Sequence, residues 1–86
     1  MNMSQYQTKK GQQFEAELWR YMKLRRITSF EELRKLTTIG SNNTMGRYRD
    51  DPTLIPAGKL HEILRAVRMS KEDKIRIFNM LGEEDN

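Results

Sequence analysis

Cysteine is absent from these 86 residues, which excludes a disulfide framework, a thiolate metal site and a cysteine nucleophile. Histidine occurs once, as His61, so one chain cannot build a multi-histidine metal site. No run approaches the roughly 18 apolar residues that a membrane span needs. Residues 1–10 lack the apolar core of a secretory signal, so none is expected; the absence of cysteine fits an expected cytoplasmic setting. Only 36% of the residues are hydrophobic. A chain this short buries about 60% of its unfolded surface, enough for one core and too little for an enclosed active site. Binding is therefore favoured over catalysis, with no enzymatic activity, no cofactor, no metal and no small-molecule substrate expected.

Charge is plentiful and uneven. Sixteen Lys and Arg stand against 12 Asp and Glu, a formal net charge of +4. The surplus lies in the first fifty residues, which carry ten basic and five acidic side chains, whereas residues 51–86 carry six and seven. A basic face in the first half fits a polyanionic partner and equally fits an ordinary solvated surface.

Apolar spacings of three and four predict an all-α chain of five helices. Residues 1–11 are expected as a flexible arm, residues 12–81 as the folded domain and residues 82–86 as an acidic tail. Helix one, over residues 12–26, carries Phe14, Leu18, Tyr21, Met22 and Arg25 on one stripe, with Trp19 beside it. Ser29 and Glu32 form a capping-box signature for helix two, followed by Phe30, Leu33 and Leu36 at spacing three. Gly40 offers the positive φ that shapes a tight turn. Ser41 or Asn42 caps helix three, whose Met45 and Tyr48 face inward. Asp51-Pro52 stops it. Pro56 opens helix four, with Leu60, Ile63, Leu64 and Val67 inside. Ser70 and Asp73 open helix five, with Ile75, Phe78 and Leu81 as its stripe.

From Ser29-Phe30-Glu31-Glu32-Leu33 to Thr44-Met45-Gly46-Arg47-Tyr48, the chain resembles the Cro/phage-repressor (Xre-type) helix-turn-helix family. Pro52 or Pro56 before helix four and Met69-Ser70-Lys71-Glu72-Asp73 at helix five extend the likeness over residues 14–81. Three departures stand out: Arg34-Lys35 near the family's small helix-two residue, a turn longer by one residue, and Asp50-Asp51 where a glycine is usual. The resemblance implies a five-helix lambda-repressor-like domain with helices two and three as the helix-turn-helix. It implies a double-stranded DNA-binding transcriptional regulator of phage or mobile-element type in a bacterial or phage-infected cell, with a homodimer possible. A protein-binding adaptor or inhibitor on the same fold is the alternative.

A recognition helix lies in the major groove and reaches base edges with its early residues. With Met45 and Tyr48 inward, Asn42, Asn43, Thr44 and Arg47 become the candidate base contacts. Asn pairs bidentately with adenine and Arg with guanine. Arg25, Arg26, Arg34, Lys35, Ser41 and Arg49 are the candidate phosphate contacts, and Lys9-Lys10 read either as a further contact or as a soluble arm. Asn42 and Asn43 also read simply as cap and turn residues, and Arg47 and Arg49 as cations favoured near a helix C-terminus. Gly46 is out of place in a helix interior, and a close approach to DNA or to helix two would account for it. For self-association, helix five offers Ile77, Met80 and Leu81, which the core can equally claim.

Overall fold

The computed structural model describes residues 6–83. Five α-helices follow one another: α1 Lys9–Arg25, α2 Phe30–Lys35, α3 Asn42–Asp50, α4 Ala57–Ala66 and α5 Lys71–Gly82. A 3-10 turn, Pro52–Leu54, separates α3 from α4, and there is no strand among the described residues. No helix among them is long and apolar enough to cross a membrane.

Hydroxyl caps set most of the starts. The Ser29 Oγ accepts from the Glu32 amide, Ser41 Oγ from the Thr44 amide and Ser70 Oγ from the Asp73 amide, at 3.1, 3.1 and 3.2 Å. Each satisfies one of the free N–H groups of a first turn. The return limb of the expected capping box lands one residue early, because Glu32 Oε1 accepts from the Thr28 amide at 2.7 Å. Asp51 ends α3 and starts the 3-10 turn, accepting from the Thr53 amide and hydroxyl.

α1 begins at Lys9, earlier than the spacing of its apolar residues suggests, so residues 9–11 are helix and not arm. Thr8 caps this turn by accepting from the Gly11 amide. The Thr8 amide and hydroxyl both donate to the Asp50 carbonyl, at 3.0 and 3.1 Å. The start of α1 is thereby fastened to the end of α3. Gly11 is obligatory at this junction, because a Cβ there would lie 2.1 Å from the Asp50 carbonyl oxygen. Residues 1–5 of the expected arm and residues 84–86 of the expected tail lie outside the described residues.

The core gathers Phe14, Leu18 and Met22 of α1, Leu33 of α2, Met45 of α3, Ile63 and Leu64 of α4 and Ile77 of α5, all nearly or wholly buried. Ile39 anchors the α2–α3 connection beneath them. Two expected faces are corrected. Leu36 is 60% exposed, since α2 stops at Lys35 and the chain leaves the helical stripe there. On α5, Ile77 is buried, with Met80 and Leu81 packed against the core, whereas Ile75 and Phe78 are 51% and 39% exposed. The cause is Asp73, whose carboxylate accepts from the Tyr21 hydroxyl (2.5 Å) and from Arg20 (2.9 Å) on α1. This polar member of the inward stripe turns residues 73, 77, 80 and 81 toward α1.

Gly40 does not have a positive φ. Among the described residues the left-handed ones are Arg26 (φ 61°) and Arg68 (φ 57°), at the ends of α1 and α4. Each is followed by a buried apolar residue, Ile27 or Met69, whose amide bonds back to Met22 or Leu64 of the preceding helix. The α2–α3 connection is shaped without a left-handed glycine. The Thr37 hydroxyl donates to the Arg34 carbonyl and accepts from the Ile39 amide. Thr38 is clasped by Glu62 of α4 through its amide and hydroxyl, and these hydrogen bonds hold the Glu62 carboxyl below the usual carboxylate range.

Candidate nucleic-acid interface

The outward face of α3 follows from its inward one. Met45 is fully buried and Tyr48 is half-buried against the core. Residues advance about 100° each around an α-helix, so Asn43, Gly46 and Arg47 fall on the far side. Asn42, Asn43 and Arg47 are exposed, and Thr44 is half-buried at the edge. No acidic residue stands in the first turn of α3. Asn43 and Arg47, four residues apart, lie one above the other.

A groove of about 420 Å³ runs between this helix and the start of α2. Asn42, Asn43, Gly46 and Arg47 form its α3 wall, Phe30 and Met45 line its apolar side, and Glu31 stands at its rim. Arg49 also lines it, with its guanidinium 5.4 Å above the centre of the Phe30 ring and 3.4 Å from the Asp50 carboxylate. Phe30 also meets Trp19 in a T-shaped contact, with ring centres 5.0 Å apart. Trp19 is 40% exposed, so an aromatic step joins the α3 groove to the outer surface of α1.

The proposed contacts separate into groups. Asn43 and Arg47 stand open together. Asn42 is oriented by α2, because Arg34 Nε donates to its Oδ1 at 2.5 Å while Arg34 Nη1 donates to the Ile39 carbonyl. Its acceptor oxygen is engaged by this bond. Ser41 and Thr44 are joined hydroxyl to hydroxyl at 3.0 Å and frame the N-terminus of α3. Lys35 is exposed and only loosely paired with Glu31 at 3.7 Å, an arrangement worth little in water. Arg26 is exposed at the corner between α1 and α2.

Arg25 does not join them. Its Nε and Nη2 donate to the carbonyls of Val67 and Arg68, both at 2.8 Å, closing the C-terminus of α4. Lys10 is also turned away, toward the carbonyls of Leu81 and Glu83 at the end of α5. Compared with known protein families, curated proteins and solved structures, the chain matches none.

Sequence reasoning missed the part played by Phe30, the hold of Arg34 on Asn42 and the engagement of Arg25. The first had a signal: an aromatic directly after an N-cap, opposite a helix rich in arginine. The other two join residues across turns and across the fold, and no local pattern marks them.

Proposed function

We propose that this chain is a sequence-specific double-stranded DNA-binding transcriptional regulator of phage or mobile-element type. On this reading α2, the 36–41 connection and α3 act as a helix-turn-helix, and α3 enters the major groove. The observation that carries it is the outward face of α3, where Asn43 and Arg47 stand exposed, one turn apart, with no acid in the first turn. Four residues of helix rise about 6 Å, close to two base steps of roughly 3.4 Å. Asn43 then reads adenine and Arg47 guanine about two base pairs apart, each contact contributing roughly 1–3 kcal/mol of discrimination.

Around this pair, Asn42 donates from its NH₂, and Ser41, Thr44, Lys35 and Arg26 flank the duplex as phosphate contacts. Arg34 and Arg49 act from behind, one holding Asn42 and the other lining the groove. No reaction, cofactor or metal is part of this reading, and its setting is the cytoplasm of a bacterial or phage-infected cell.

One copy offers few base readers, so a homodimer on two half-sites belongs to the proposal. Ile75 and Phe78, not Ile77, Met80 and Leu81, are the apolar residues of α5 open to a second copy. A C2 pairing of α5 with itself would bring Ile75 and Phe78 of each copy together.

The alternative, a protein-binding adaptor, draws on a shallow groove of about 740 Å³ on α1, lined by Ala16, Trp19, Ile27 and three basic residues. Salt separates the two. Duplex binding that falls steeply with salt, with a selected site whose recognition Arg47→Ala relaxes, supports the regulator. A folded chain that binds no duplex at low salt refutes it and favours the adaptor.

A further inference from the structure

Glycine is the least favourable residue in a helix interior after proline, and Gly46 sits in the middle of the nine-residue α3. A glycine is normally demanded by a positive φ, by a close neighbour or by a ligand that meets the backbone. Gly46 has no positive φ. A Cβ built there would meet only the end of the flexible Arg49 side chain, at 3.8 Å, which is ordinary contact. Helix two does not press on it, so one of the two explanations open to the sequence is removed. Gly11 shows the contrast, with the Asp50 carbonyl 2.1 Å from its would-be Cβ.

What surrounds Gly46 is the groove. It forms part of the α3 wall between Asn42 and Asn43 on one side and Arg47 on the other. It therefore leaves a stretch of bare main chain on the face that carries the exposed amide and guanidinium groups.

We propose that Gly46 is where a DNA duplex comes into contact with the main chain of α3, so that the missing side chain sets how deeply the helix seats in the major groove. The inference rests on the DNA-binding reading and adds a positioning residue to it. Seating depth decides whether Asn43 and Arg47 reach base edges together. One added methyl at a closed contact acts as overpacking does in a core.

The test compares Gly46→Ala with Gly58→Ala. Gly58 lies in α4 with equally open surroundings and does not line the groove. Thermal unfolding is followed by circular dichroism, and affinity by fluorescence anisotropy on a duplex selected with the wild-type protein. Both substitutions are expected to raise Tm. Gly46→Ala should weaken duplex binding about ten-fold or more, while Gly58→Ala changes it by less than about two-fold. Wild-type affinity in Gly46→Ala overturns the proposed contact and leaves the DNA-binding reading standing. A lowered Tm overturns it as well, because the fold would then be what requires glycine. If the wild-type protein binds no duplex at low salt, the reading itself fails and the inference goes with it.

Discussion

Replacing Gly11 with alanine should damage this fold more than its single methyl suggests. The new Cβ would stand 2.1 Å from the Asp50 carbonyl oxygen, 2.7 Å from its carbon and 3.0 Å from the Arg49 carbonyl oxygen. Ordinary contact begins near 3.4 Å, so the start of α1 and the end of α3 must part by more than an ångström. The obstacle is backbone on a helix C-terminus and cannot swing aside as a side chain would. Separation breaks the two hydrogen bonds from Thr8 to Asp50, each worth about 1 kcal/mol net. Overpacking strain adds about 1–3 kcal/mol, and alanine's better helix propensity returns up to about 1 kcal/mol. The balance is a loss of about 3 kcal/mol, or roughly 12–24 °C in Tm for a domain of this size. Urea unfolding followed by circular dichroism at 222 nm measures it. A Gly11→Ala protein as stable as wild type would show that α1 and α3 do not meet at Asp50, and α3 would lose this support at its C-terminal end.

Two further outcomes probe the other joints. Hydrogen bonds from Tyr21, Arg76 and Arg20 hold the Asp73 carboxyl below the usual carboxylate range. Its contribution is complete above the unfolded-state value near 3.9 and is lost as pH falls below it. Wild type should therefore lose stability on going from about pH 5 to pH 2 more steeply than Asp73→Asn, and equal slopes in urea midpoints would remove Asp73 from that role. Arg68 sits at φ 57° in a helix-ending position that favours glycine. Arg68→Gly should raise stability by about 0.5–1 kcal/mol in the same assay, and a loss would mean that the arginine side chain matters more than its strained backbone.

The helix starts at Ser29, Ser41 and Ser70 were legible because a cap and its target lie three residues apart, so the chain states them locally. The start of α1 was not. Thr8 also caps an amide three residues on, that of Gly11, but Lys9, Lys10 and Gly11 show no apolar period to mark the turn as helix, and the tie from Thr8 to Asp50 that fastens it reaches far along the chain. The face of α5 was misread for a related cause. Its inward stripe begins with a carboxylate that is satisfied by Tyr21 and Arg20 of another helix, and an apolar-only template passes over it in favour of Ile75 and Phe78.

The same division runs through the proposed interface. Asn43 and Arg47 could be picked out from the sequence because their exposure follows from Met45 and Tyr48 on the same helix. Arg25 and Arg34 could not be sorted, since what their guanidinium groups do depends on carbonyls and amides reached across turns. Charge placed Arg25 in the DNA-contacting set, and geometry ties it to the end of α4. A basic residue count therefore overstates the surface open to a polyanion. In this chain at least Arg25, Arg34 and Arg49 are engaged by the fold. If the DNA-binding reading holds, the salt dependence should reflect a handful of phosphate contacts and not the full basic complement of the first fifty residues.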